Sequence, residues 1–247
     1  MPTAFEAALA SHDRKTLRTI SKSELHTHAT LGGSRRYVRE RTGIDIVPLD
    51  RVLGSMDEMH KWADANRVGE AFHDGASRLI ALEATFIQAK EDGVTRLEAG
   101  EDVWALTLWD GNVVALTRAM QEIHERVAPE IEWIPQLGMS RHCSADALMG
   151  WISPFLDQGF YQTIDLYADE LIQPIGVFKP LYRAAREKGF RLKAHVGEWG
   201  TADDVGKPSK SWSSMKCSMA LQLQLRLLSC ASWPITAFDL TSALPLT

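Results

Sequence analysis

Two histidines, His26 and His28, stand one residue apart in the segment SELHTHATLGGS. In an extended strand, residues i and i+2 project to the same side. Both imidazoles would then point together, and neutral imidazoles are good ligands for zinc or another divalent transition metal. The plain alternative is a pair of polar residues at a strand end. A second segment, KAHVGEWG, carries His195 and, three residues later, Glu198. A third histidine could complete one face of a metal site. A carboxylate beside it could shuttle a proton to or from a reacting group. The alternative there is a core histidine followed by a solvated glutamate. His-x-His and His195 together, at the ends of strands of one barrel, favour the metal reading over either alternative.

The elements that must position these side chains follow a rhythm. Residues 1 to about 21 read as a helix with Phe5, Leu9, Leu17 and Ile20 as apolar points, and SELHTHATLGGS reads as a short strand running into a glycine turn. Residues 55–92 read as helical, closed by an Asp-Gly stop. Strand-like segments at 94–103, 131–139, 160–170 and 191–198 then alternate with helical ones at about 112–128, at 144–157, and on the face formed by Pro174, Val177, Phe178, Leu181, Tyr182 and Ala185. Alternation at this spacing predicts a parallel α/β sheet. Chemical residues at the C-terminal ends of the strands favour a barrel over an open sheet.

Composition narrows the function classes. A net charge of −5 over 247 residues gives no electrostatic footprint for nucleic acid or an anionic membrane, so neither is expected as a partner. The cysteines, Cys143, Cys217 and Cys230, form no CxxC pair, which argues against a disulfide framework and a cysteine zinc site. The first residues lack a signal-peptide apolar core, and no apolar run approaches the roughly 18 residues of a membrane span. A cytoplasmic setting is the expectation.

ELHTHATLGGS, TIDLYADE and KAHVGEWGTADDV, in this order, resemble the adenosine deaminase family of the metal-dependent amidohydrolase superfamily, over about residues 22–205. The resemblance implies a (β/α)8 TIM barrel holding one zinc ion, with His26, His28 and His195 as metal ligands. It implies hydrolytic deamination of adenosine or a related aminopurine, with Glu198 protonating a ring nitrogen while water attacks the carbon bearing the amine. It places Gly33 and Ala168 at the small-molecule substrate. The family's turn reads His-x-His-Leu-Asp-Gly; here two residues are inserted and Gly32 stands in place of the aspartate that helps hold ribose. The family's fourth strand has glycine where Ala168 stands. These departures leave open another aminopurine, or a different amidohydrolase acting on a non-nucleoside amine or amide.

The character of the chain changes after Val205. Residues 206–247 hold one acidic residue, Asp239, and eight serines. The family's sixth-strand His-Gly and late Asp-Asp have no counterpart: no histidine follows His195, and Asp203-Asp204 comes too early. MKCSMALQ can be encoded by ATG AAG TGC AGC ATG GCA TTG CAG. Read one base earlier, with G preceding, that sequence gives Asp-Glu-Val-Gln-His-Gly-Ile-Ala, the family's sixth strand. ITAFDLTSALPLT in the same shifted frame gives Tyr-Gly-Ile-Arg-Leu-Asn-Ile-Cys-Pro-Thr-Ser-Asn, its seventh. The expectation is an incomplete barrel over residues 1–205, with strands one to five present and six to eight missing, and a frameshifted tail over 206–247. Such a chain is expected to be impaired or an inactive remnant, and open strand edges would permit self-association.

Overall fold

The computed structural model describes residues 3–68, 72–201 and 215–219. The strands form one sheet in sequence order: β1 (Lys22–His28), β2 (Val94–Asp102), β3 (Glu132–Ser140), β4 (Thr163–Tyr167), β5 (Arg191–His195) and β6 (Met215–Met219). The pairs β3–β4, β4–β5 and β5–β6 are parallel. Parallel strands covered on both faces bury nearly every residue, and seven consecutive residues of β3 are buried. Six strands in sequence order, alternating with helices, are the arrangement of consecutive (β/α) units of a TIM barrel.

The chain divides into two compact units. The first, residues 1–99 and 108–134, carries α1 (Ala4–Ala10), α2 (Arg14–Thr19), β1, α3 (Arg35–Thr42), α4 (Met56–Ala63), α5 (Gly75–Glu91) and α6 (Val113–Val127). Each helix from α3 to α6 starts at a side chain that accepts a hydrogen bond from an otherwise unpaired backbone N–H: Ser34, Ser55, Asp74 and Asn112. Val38, Ile46, Phe72, Ala81 and Ala84 form one apolar cluster. Phe86, His124 and Trp133 form an aromatic one, with Phe86 edge-on to Trp133 at 5.1 Å.

The second unit, residues 100–107 and 135–247, carries α7 (Ala145–Leu156) and α8 (Lys179–Glu187) with the ends of β2 and β3 and all of β4, β5 and β6. Of the apolar face expected from Pro174, Val177, Phe178, Leu181, Tyr182 and Ala185, the last four are buried, whereas Pro174 and Val177 precede the helix and are exposed. Tyr182 also donates its hydroxyl to the carbonyl of Lys193, 2.6 Å away, which pins α8 to β5.

Three expected elements differ. The single N-terminal helix is two, because His12 takes a left-handed φ of 54° and Asp13 caps a new helix by accepting from the Thr16 N–H at 3.1 Å. The long helix over 55–92 breaks into α4 and α5, since Asp74 accepts from the Ser77 N–H at 2.7 Å and starts α5 afresh. Beyond the five expected strands, β6 pairs with β5, from Leu192 opposite Met215 to His195 opposite Met219. It lies on the segment whose shifted frame reads as a sixth strand. The rest of the proposed tail, with Asp203-Asp204, lies outside the described residues.

Candidate active site

In the first unit, His26 and His28 stand on β1 as the alternation predicts, both half-buried. Their rings meet edge to face, with centroids 4.8 Å apart. The turn that follows folds back at once: the N–H groups of Leu31 and Gly32 donate to the His28 carbonyl at 3.1 and 3.0 Å. Helix α5 then fixes it. Thr85 donates its hydroxyl to the Ala29 carbonyl at 3.0 Å, and the Ser34 N–H donates to the Ala84 carbonyl at 3.0 Å. Gly33 shows why this turn needs glycine. Its φ is +89°, and an added Cβ would lie 2.6 Å from the Thr85 nitrogen. Its clearest role here is close approach to α5.

In the second unit, the ends of β4 and β5 carry a buried polar network. His195 Nε2 lies 3.1 Å from Asp165 Oδ2, and Nδ1 lies 3.9 Å from Glu198 Oε2. Burial alone would lower the imidazole pKa. The charge and hydrogen bond of Asp165, joined by Glu198, outweigh it and raise His195 to about 9. An imidazolium cannot ligate, so a metal bound there has to displace this proton. Behind Asp165, Gln136 donates from Nε2 at 3.4 Å and accepts from Lys193 Nζ at 3.1 Å. Buried charges are thus partnered, as the cost of isolating them requires.

Glu198 lies three residues beyond the end of β5, and Gly197 makes the turn with φ +81°. Arg141 is buried and donates to the carbonyls of Glu170 (3.0 Å) and His195 (2.7 Å). Burial holds its pKa below the usual guanidinium range. Glu170 accepts from the N–H groups of Gly197, Trp199 and Gly200. Ala168, at the family's glycine position, is buried with φ +71°, a backbone state that L-residues adopt at a cost.

A structural comparison decides the fold. Adenine deaminase from Arthrobacter aurescens superposes with a TM-score of 0.63 at 20% identity, covering 84% of this chain and 66% of that one. An amidohydrolase from Burkholderia ambifaria with bound Zn gives 0.66 at 17% identity, covering 91% and 63%. This is the amidohydrolase barrel fold. In sequence, the chain is 24% identical over 192 residues to a Treponema pallidum (strain Nichols) protein named as an adenosine/adenine deaminase. The match covers 76% of this chain, which spans 62% of the relative's length. No protein-family model matches. The resemblance carried by the three motifs is borne out.

Within this amidohydrolase fold, sequence reasoning missed Asp165, Arg141 and Glu170. Asp165 and Glu170 lay inside the quoted TIDLYADE motif, so their place was visible and their work was not. Arg141 had no local signal. Among the described residues, no helix is long and apolar enough to cross a membrane.

Proposed function

We propose that the protein is built as a divalent-metal hydrolase that deaminates adenosine or a related aminopurine. The observation that carries this is the donor set. In the first unit His26 and His28 present two imidazoles side by side, and in the second unit His195 stands against the buried carboxylate of Asp165. Imidazoles and a carboxylate are ligands that suit zinc or another divalent transition metal. The metal, when bound, supplies a Lewis acid that brings the pKa of water down towards neutrality.

The chain's own residues do the rest. Asp165, fully buried, compensates positive charge at the site and orients the His195 ring. Glu198 keeps a side-chain exposure of 19%, so a substrate can reach it while most of the carboxylate is shielded. In this reading it passes a proton to a purine ring nitrogen as water adds to the carbon bearing the amine, after which ammonia leaves. Adenosine leads as substrate, with adenine a close rival because Gly32 offers no carboxylate for ribose. The cytoplasm is the proposed setting.

The chain as written is proposed to be impaired. The segment whose shifted frame supplies the water-orienting His-Gly reads Met-Lys-Cys-Ser-Met over residues 215–219. Restoring the frame after Val205 is the test. The restored protein is expected to release ammonia from an aminopurine, and the written chain to do so far more slowly or not at all. Equal rates would sink the frameshift reading. A restored protein inactive on every aminopurine, yet active on another amine or amide, would leave only the superfamily.

A further inference from the structure

The proposed chemistry asks one carboxylate, Glu198, to stand at a set place, yet Glu198 sits on the loop after β5. Loops hold a position only when their backbone groups are tied down. The three ties found here end on one side chain. Glu170 Oε2 accepts from the Gly197 N–H at 2.6 Å, and Oε1 accepts from Trp199 at 2.6 Å and Gly200 at 2.7 Å. The amides on either side of Glu198 are therefore both held, by the two oxygens of one buried carboxylate.

Glu170 is in turn anchored through its own backbone. Arg141, 2% exposed, donates one nitrogen to the Glu170 carbonyl and another to the His195 carbonyl, so one planar guanidinium spans the chain leaving β4 and the last residue of β5. Gln173 donates to the backbone carbonyls of Arg141 and Cys143 and holds the segment that follows β3 in place. Charge-assisted hydrogen bonds of this kind are short and strong. Resting on the deaminase reading for its catalytic consequence, we propose that Glu170, supported by Arg141, is the positioning residue of the Glu198 loop. It fixes where the proton-carrying carboxylate stands relative to His195, while touching neither metal nor substrate itself.

The test has two readouts. The first is amide hydrogen exchange in the written chain, wild type against Glu170→Gln. Glutamine keeps the shape but replaces one acceptor oxygen with an NH2 group, which cannot accept from an amide. Exchange at Gly197, Trp199 and Gly200 is expected to speed up by about tenfold or more, the size that losing a hydrogen bond to a charged group gives. Amides within β4 and β5 should be unchanged. Equal acceleration in the strands would make Glu170 a general structural residue, and no acceleration would remove the clamp; either result overturns the proposal. Glu170→Asp, which keeps two acceptor oxygens on a shorter arm, should fall between wild type and Glu170→Gln.

The second readout uses the frame-restored chain. Glu170→Gln should lower kcat by about tenfold or more with little change in KM, because small misplacements of a reacting group carry costs of that order. It should add no further loss on top of Glu198→Gln. A full additional loss, or an unchanged kcat with the loop freed, overturns the proposal. If no aminopurine is turned over by any variant, the deaminase reading fails while the exchange measurement still decides the clamp.

Discussion

The two strand ends that bear the histidines are built differently. At the end of β1, His26 and His28 are half-buried, and the turn after them is held by backbone and hydroxyl contacts to α5. At the ends of β4 and β5, Asp165 is fully buried, His195 is 6% exposed, and the groups around them are charged and mutually hydrogen-bonded. The first arrangement needs only strand alternation and a glycine that tolerates φ +89°. The second needs several costly buried groups to compensate one another. Where a site must hold a cation tightly and aim a proton, preorganisation of the second kind is the more valuable.

The largest effect that would break this contrast is in metal binding. In the written chain, zinc is expected to bind weakly and below one equivalent. His195→Ala should weaken it by on the order of 100-fold or more, since even outer partners of a ligand are worth 10–100-fold. His26→Ala should cost less, because the end of β1 is less preorganised. Zinc content after dialysis measures both, and equal losses would break the comparison. Next comes stability at the β4–β5 end. Arg141→Met leaves the buried carbonyls of Glu170 and His195 without that donor and should cost about 3 kcal/mol in denaturant unfolding. A loss below 1 kcal/mol would mean that the network is not what holds this end.

A smaller effect belongs to the first unit and is read by pH. Hydrogen bonds from Arg126 hold the Glu83 carboxyl below its usual range, with Tyr37 assisting. A depressed folded-state pKa contributes stability above the unfolded value near 4.5 and loses it as pH falls through the folded value. Glu83→Gln should therefore lower stability at neutral pH by about 1 kcal/mol, most of the way to nothing under acid, given that Arg126 is largely exposed. A difference that persists unchanged at low pH would contradict the assignment. The smallest effect is a gain. Ala168→Gly removes the left-handed cost of a non-glycine residue and should stabilise the protein by about 0.5–1 kcal/mol. Destabilisation would show that the methyl group packs for more than its backbone strain.

The same contrast explains what could be read in the sequence. The strand and turn positions of His26, His28, His195 and Glu198 are legible because their signal is local: a strand spacing, a strand end and a glycine turn. Most of the strands and α6 to α8 are legible for the same reason, as period and punctuation agree. Asp165 and Arg141 act through His195, which lies 30 and 54 residues away in sequence, and nothing local announces such pairings. Glu170 reaches 27 to 30 residues ahead. Helix ends failed where one capping aspartate cut a continuous apolar period, as Asp13 and Asp74 do. The sixth strand was read only in a shifted frame, yet Met215–Met219 pairs with β5 as written, because a parallel ladder is made by backbone groups that any sequence supplies.

The account's central claim is that these strand ends serve metal-dependent aminopurine deamination. The most direct measurement is ammonia release from adenine and adenosine by the frame-restored chain, with zinc and with chelator, beside its Glu198→Gln variant. The account predicts turnover that chelation abolishes and that Glu198→Gln lowers by about 10²–10⁴-fold. Turnover that survives both chelator and Glu198→Gln would contradict it.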